Sequence, residues 1–268
     1  MQARAPLDTD ALHHALDERW ARVEVVEATD STNADLLADH RAPDRAVLVA
    51  EHQVAGRGRL DRTWVAPPRA GLTFSVLIRP DVPMLHWGWL PLLTGVAVHE
   101  AVRAETDIRA GLKWPNDLLL APPQSGTFGK AAGILAQSHE DTVVLGVGLN
   151  VSTTRAELPV ESATSLAECG AHVDRTSLLI AILTRLDARL AQWSDVNGEA
   201  EACGLGAAYG QASLTIGQRV SVRSSDGTTV TGMAVGVDAE GRLLVDSGAS
   251  VRVVSAGDVE HVRPSAAG

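Results

Sequence analysis

The stretch E-H-Q-V-A-G-R-G-R-L-D-R-T-W, Glu51 to Trp64, follows a β-branched apolar run, Ala46, Val47, Leu48 and Val49. The run predicts a buried strand. After it, Gly56 and Gly58 alternate with Arg57, Arg59 and Arg62. Two near-adjacent glycines allow backbone angles closed to other residues, so this segment is expected to be a loop that folds closely over a ligand. Three guanidiniums in so short a loop repel one another. A bound anion accounts for their gathering, because the planar fork of Arg matches phosphate and carboxylate oxygens. The alternative reading of such a charge run is a solvated basic loop.

The chain has 268 residues, 45% of them hydrophobic, which suggests one large domain or one with a small companion. A net charge of −10 and a pI near 5.3 argue against a general nucleic-acid surface. Cys169 and Cys203 show no metal spacing and read as reduced, structural thiols. The first 19 residues lack the apolar core of a signal peptide. No stretch approaches the roughly 20 apolar residues of a membrane span. The expectation is a soluble cytoplasmic protein with no membrane or nucleic-acid partner.

Taken in order, Asp8–Arg19 reads as an amphipathic helix and Arg22–Ala28 as a strand. Asp30, Ser31, Thr32 and Asn33 crowd ahead of Leu36 and Leu37, a helix-start signature in which capping is the default role of Ser31 and Thr32. Leu72–Arg79 is a predicted strand, Trp87–Glu105 a helix, and Ile108–Leu112 a strand that leads into Lys113-Trp114-Pro115-Asn116-Asp117. Leu118–Leu120, Ala131–Ser138 and Thr142–Asn150 read as strands. Arg175–Trp193 carries the clearest helical stripe, and a short helix is expected near Glu199–Tyr209.

Beyond Tyr209 the period changes to two. Arg219–Val222, Val230–Val237, Leu243–Val245, Val251–Val254 and Val259–Val262 are separated by turn signals at Asp226-Gly227, Glu240-Gly241 and Ser247-Gly248. Such spacing predicts a small closed β-barrel. The expected division is a mixed α/β part over 1–211 and a β domain over 212–268, with Pro264–Gly268 frayed.

Common nucleotide signatures are missing. Gly129-Lys130 is followed by Ala131, outside the phosphate-loop pattern, and Gly146-Val147-Gly148 lacks the third glycine of a dinucleotide fingerprint. Zinc spacing and a nucleophile elbow are likewise absent from the sequence. What remains is a constellation. Pro115 removes a donor and disfavours helix for Trp114, which presents Asn116 and Asp117 at a strand interruption. Lys130 enters the apolar strand Ala131-Ala132-Gly133-Ile134-Leu135 and reads as a cation held against a ligand's charge. A surface lysine at a strand end is its blander reading.

Four segments together resemble the bacterial biotin protein ligases of the short kind, without an N-terminal DNA-binding domain. They are Ser31-Thr32-Asn33; Gln53 with the run from Gly56 to Trp64; Lys113-Trp114-Pro115-Asn116-Asp117; and Lys130 to Leu135 followed by Gly146-Val147-Gly148-Leu149-Asn150. The resemblance spans nearly the whole chain. It implies an α+β fold, with a mixed-sheet catalytic domain and flanking helices of the class II synthetase or biotin-ligase kind, plus a C-terminal SH3-like β-barrel.

The resemblance also implies a two-step reaction. Biotin and ATP give biotinyl-5′-AMP and pyrophosphate, and a lysine of a biotin carboxyl carrier domain of acyl-CoA carboxylase then takes the biotinyl group. Arg57, Arg59 and Lys130 would offset the repulsion of the two anions with Mg2+, and a loop over the labile adenylate would exclude water. By the same resemblance Ser31, Thr32 and Gln53 would bind the ureido ring, with Gly56, Arg57, Trp64, Gly133 and Leu135 completing the biotin site. Arg59, Arg62, Asn116 and Asn150 would serve the nucleotide. Asp117 is a candidate for three roles: holding Mg2+, organising Lys130, or deprotonating the incoming amine. The protein is expected to be a monomer or a ligand-dependent homodimer.

Two alternatives fit the sequence less well. A lipoate or octanoyl transferase of related fold is disfavoured by the Gly/Arg loop and the C-terminal β domain. A DNA-binding repressor is disfavoured because only 21 residues precede Arg22, too few for a helix-turn-helix module. The sequence departs from the family pattern at Asp61, where a glycine is usual. Aspartate enters left-handed backbone angles less readily than glycine and adds negative charge among the arginines. Asp61→Gly is therefore expected to slow dissociation of the adenylate, measured by chase of labelled adenylate. Unchanged or faster release would count against this reading.

Overall fold

The computed structural model describes residues 4–60, 62–124, 126–223 and 227–261. Helix α1 (Thr9–Leu16), strand β1 (Arg22–Val26), helix α2 (Thr32–Ala38) and strands β2 (Ala46–Ala50) and β3 (Gly71–Ile78) come first. A 3-10 segment, Met84–Trp89, runs into α3 (Leu90–Glu105). Strands β4 (Arg109–Lys113), β5 (Asp117–Ala121), β6 (Gly129–His139) and β7 (Thr142–Asn150) follow. Helices α4 (Arg175–Asp195) and α5 (Leu205–Ala212) precede five strands: β8 (Arg219–Arg223), β9 (Thr229–Val237), β10 (Leu243–Asp246), β11 (Val251–Val254) and β12 (Asp258–His261).

Helices α1 and α4 start on capping aspartates. Asp8 accepts from Ala11 N–H at 3.0 Å, and Asp174 accepts from Ser177 N–H at 2.8 Å. The helix expected near Glu199–Tyr209 begins only at Leu205, because Gly204 takes a left-handed φ of +72°. Asp61, Asp226, Val262 and Pro264–Gly268 lie outside the described residues.

Seven strands form one sheet in the order β1-β2-β3-β7-β6-β5-β4. Only the β1–β2 pair is parallel, so the sheet is mixed. Alternation along each strand sends side chains to opposite faces. Val47, Val49, Leu72, Phe74, Val76, Leu145, Val147 and Leu149 face the main core, together with the apolar stripes of α1, α3 and α4. Ala46, Leu48, Leu77 and Val144 face the other way, onto Leu36 of α2. Each strand of the pair β2 and β3 is buried along its whole length, as expected for strands covered on both faces.

The second sheet corrects an expectation. The five C-terminal strands do not close into an SH3-like barrel; they form an open antiparallel sheet in the order β11-β10-β9-β8-β12, with β11 and β12 as its two edges. A closed barrel is one way for a small sheet to cover its own apolar face. Here that face, with Val220, Val222, Ala234, Leu243, Val245, Val254 and Val259, belongs to the same core as the large sheet. The strands need not curl onto themselves to bury it. Two tryptophans fasten the joint: Trp89 Nε1 donates to Asp238 O at 3.1 Å and Trp114 Nε1 to Gly241 O at 3.2 Å.

A buried ion pair ties the N-terminal segment and α4 to the end of β2. Arg175 Nη1 donates to Glu51 Oε2 at 2.7 Å and to Gly71 O at 3.1 Å, and its Nη2 donates to Ala5 O at 2.7 Å. Glu51 Oε1 accepts from Leu7 N–H at 2.6 Å. Removing one member strands a buried charge, whereas removing both leaves no charge and only main-chain groups, Leu7 N–H, Gly71 O and Ala5 O, short of a partner. Glu51→Ala is expected to cost about 3–5 kcal/mol in urea denaturation. The double replacement Glu51→Leu/Arg175→Met is expected to cost clearly less.

Candidate active site

The site follows from a glycine stripe, Gly146, Gly148 and Gly133, across the middle of the large sheet. On the α2 face, Ser75 of β3 stands beside Gly146 of β7, which stands beside Leu135 of β6. The neighbouring row is Thr73, Gly148 and Gly133. Gly146 and Gly148 are required by close approach. A Cβ on Gly146 would lie 2.1 Å from Asn33 Oδ1, and one on Gly148 would lie 2.4 Å from Trp64 Cε2. The Asn33 amide and the Trp64 indole therefore lie directly on strand backbone.

Trp64 is brought there by the Gly/Arg loop. Gly58 N–H donates to Arg62 O at 2.6 Å and Trp64 N–H to Gly56 O at 2.8 Å, so the loop doubles back on itself. The result is a cavity of about 720 Å³, within the usual range for small-molecule sites. Ser31, Thr32, Gln53, Arg57, Arg59, Arg62, Trp64, Asn116, Asp117, Lys130, Gly133, Leu135 and Asn150 all line it, so all but one of the residues singled out in the sequence are brought together. The exception is Gly56, which is buried and does not line the cavity.

The cavity has two chemically distinct ends. Near α2 it is polar and uncharged. Ser31 caps α2, its hydroxyl facing Ala34 N–H at 3.5 Å, and it also lines the cavity, so the capping and ligand-facing roles coexist. Thr32 N–H donates to Gln53 Oε1 at 2.8 Å. The other end is ionic. Lys130 Nζ lies 2.6 Å from Asp117 Oδ1. Asn116 is clipped to β6, its Nδ2 donating to Ile134 O at 2.9 Å while its own carbonyl accepts from Ile134 N–H at 2.9 Å. Asn150 Nδ2 donates to Thr164 O at 3.0 Å.

The three arginines are not equivalent. Arg57 is exposed at the cavity edge. Arg59 is half-buried and donates to Asn116 Oδ1 at 3.3 Å. Burial lowers its pKa, and Arg62 adds to that, while Asp258 and Asp117 work in the opposite sense. A guanidinium stays protonated under such a shift, so Arg59 remains a cation poorly solvated by water. Arg62 forms an ion pair with Asp258 of β12, so the small sheet contributes to the cavity mouth. Among the described residues no three His, Cys, Asp or Glu side chains gather as metal ligands. No described helix is long and apolar enough to cross a membrane.

Asn33, Gly146 and Gly148 stood in the motif segments without a role of their own, and Ser75 and Asp258 were not singled out in the sequence. Two signals pointed to them. Thr73 and Ser75 interrupt an otherwise apolar strand at period two, and the glycines of β7 have the same spacing.

Residues 23–152 match the Biotin/lipoate A/B protein ligase family, and residues 215–262 match the Biotin protein ligase C terminal domain. The chain is 44% identical to the Biotin--[acetyl-CoA-carboxylase] ligase of Mycobacterium tuberculosis over 276 residues, 96% of this chain and 99% of that protein. It is 33% identical to the Bifunctional ligase/repressor BirA of Bacillus subtilis, over 88% of this chain and 72% of that protein. The fold is similar to that of the biotin protein ligase from Aquifex aeolicus in complex with biotin and ATP, with a TM-score of 0.73 at 28% identity, over 91% of this chain and 99% of that one. With a glycine stripe, a Gly/Arg loop and a Lys130–Asp117 pair around one cavity, and a relative 44% identical along almost its entire length, the chain belongs to the biotin protein ligase family.

Proposed function

We propose that this protein activates biotin with ATP as biotinyl-5′-AMP and passes the biotinyl group to a lysine of a biotin carboxyl carrier domain of an acyl-CoA carboxylase. The observation that carries this reading is a single cavity joining an uncharged polar floor, an indole wall and a cationic end. An uncharged ureido ring needs donors and acceptors without charge, which Ser31, Thr32 and Gln53 offer, with Trp64, Gly133 and Leu135 as walls. The lipoyl ring, with no N–H or carbonyl, would leave those buried polar groups unpaired, which disfavours lipoate as substrate.

In the first step the biotin carboxylate oxygen attacks the α-phosphorus of ATP, and the bond to pyrophosphate breaks. Two anions must meet, so the step depends on cations already in place. Arg57 and Lys130 are assigned to the carboxylate and α-phosphate, and Arg59 and Arg62 to the nucleotide, with Asn116 and Asn150 beside it. In the second step a carrier lysine amine attacks the acyl carbon, AMP leaves, and the amine's proton is lost. The short Lys130–Asp117 contact favours Asp117 as the group that orients Lys130. Mg2+, when bound with ATP, would be held on the protein side by Asp117 and would offset negative charge on the phosphates. Division into a catalytic part, 1–211, and a C-terminal part, 212–268, is part of the same proposal; the two matched segments, 23–152 and 215–262, fall on either side of it.

The test is to incubate the protein with ATP, Mg2+, biotin and a carrier domain, and to weigh the carrier. The expected result is the mass of one biotinyl group, with pyrophosphate released by biotin and not by lipoate; the reverse preference would overturn the reading. Lys130→Ala is expected to lower the rate of adenylate formation by about 10²–10³-fold, the usual cost of removing one preorganised cationic or donor group. Pyrophosphate release under saturating biotin measures it. Gly148→Ala forces Trp64 off the sheet, since its Cβ would meet the indole at 2.4 Å. That change is expected to raise the KM for biotin roughly tenfold or more, equivalent to at least about 1.4 kcal/mol.

A further inference from the structure

We infer that Ser75 is a positioning residue for biotin recognition, acting through Asn33 and Thr32 to hold the Thr32 hydroxyl as a hydrogen-bond acceptor toward the cavity. The inference rests on the biotin reading above.

The assignment comes from counting protons along a buried chain of side chains. Asn33 Nδ2 donates to Leu135 O at 3.2 Å and to Gln137 Oε1 at 2.9 Å. A main-chain carbonyl only accepts, so the orientation of the Asn33 amide is fixed and its Oδ1 faces Ser75 Oγ at 2.6 Å. An amide oxygen also only accepts, which commits the single Ser75 proton to Asn33. Thr32 Oγ1 lies 2.6 Å from Ser75 Oγ. An oxygen pair this close needs a proton between its members, and the only one left is that of Thr32. Ser75 itself is fully buried, so water supplies no competing partner.

Two consequences follow for the cavity floor. The 3.0 Å contact between Thr32 Oγ1 and Gln53 Oε1 is left without a hydroxyl proton. Gln53 Oε1 accepts from Thr32 N–H instead, at 2.8 Å, which makes Nε2 the donor end of the Gln53 amide. Thr32, with its proton turned inward, offers a lone pair. The floor therefore pairs one fixed donor with one fixed acceptor. A cyclic urea, a carbonyl flanked by two N–H groups, requires that combination. With Ser75 absent, the Thr32 hydroxyl turns to Gln53 Oε1 or rotates freely, and the fixed polarity is lost.

Steady-state kinetics of Ser75→Ala test this. The expected result is a roughly tenfold higher KM for biotin, with kcat and the KM for ATP within about twofold of the parent, the signature of lost uniform binding. A Thr32→Val background separates positioning from mere structure. If Ser75 acts through the Thr32 hydroxyl, Ser75→Ala adds less than about twofold to the KM for biotin once that hydroxyl is gone. An equal increase in both backgrounds, or parallel losses in kcat and in the KM for ATP, would overturn the inference. Should Ser75→Ala fail to fold, Ser75→Cys keeps the volume with a weaker donor and acceptor and is read in the same cycle. The parent protein serves as the control for the underlying reading. If it makes no adenylate from biotin, the substrate assignment fails; if it is active and Ser75→Ala behaves like it, only the role of Ser75 fails.

Discussion

The architecture depends on backbone exposed at the centre of a covered sheet. Strands with two packed faces normally carry large apolar side chains on both. Here one face of β7 does so, with Leu145, Val147 and Leu149 in the core, while the other presents Gly146 and Gly148. Those two positions decide what can reach the sheet. The start of α2 descends onto Gly146 through Asn33, and the Gly/Arg loop descends onto Gly148 through Trp64. A side chain at Gly146 would push Asn33 away and one at Gly148 would push Trp64 away, so the cavity would lose part of its floor or its wall. A protein–backbone contact therefore sets the depth of the site, and the polar and charged groups are arranged around it.

The distribution of charge follows from that depth. The floor is buried and holds no ionised group, since an unpaired charge there would cost several kcal/mol. Charges are confined to the rim, and most of them are partnered: Lys130 with Asp117, and Arg62 with Asp258. Arg59 lies between Asp117 and Asp258 electrostatically and donates to Asn116. The carboxylates thus reduce the mutual repulsion of closely spaced cations. A polyphosphate entering the cavity competes with those carboxylates for the same guanidiniums, so the rim is built to exchange one set of anions for another.

Much of this was legible in the sequence, for identifiable reasons. Period-two and helical patterns located nearly every element, because burial on one face writes itself into the order of residues. The Gly/Arg loop and Lys113–Asp117 stood out because their composition conflicts with a plain strand or surface turn. Closure of the C-terminal strands was not legible. Alternation at Val220, Val222, Ala234, Leu243 and Val245 states which face is buried and is silent about what covers it. Ser75 was hidden for a related reason. A polar residue in a strand reads as the solvent side, and only the register with Gly146 and the approach of Asn33 turn it into a buried junction. Gly56 stands behind the lining rather than in it: a Cβ there would meet Trp64 O at 2.5 Å and Gln53 Nε2 at 2.8 Å.

The open C-terminal sheet gains its meaning from the same contacts. Its β9–β10 turn accepts indole N–H groups from Trp89 and Trp114, and Trp114 is the residue next to Pro115 in the segment that presents Asn116 and Asp117. Its opposite edge, β12, brings Asp258 to Arg62. One sheet thus touches both the strand interruption and the Gly/Arg loop, the two segments that face each other across the ionic end. Were the strands closed into a self-contained barrel, that apolar face would be sealed from the main core. The small sheet would then be held only by surface contacts. Sharing a core instead ties β12, and with it Asp258, to the same core as the large sheet that carries Asp117, so the charged rim is framed from both sheets.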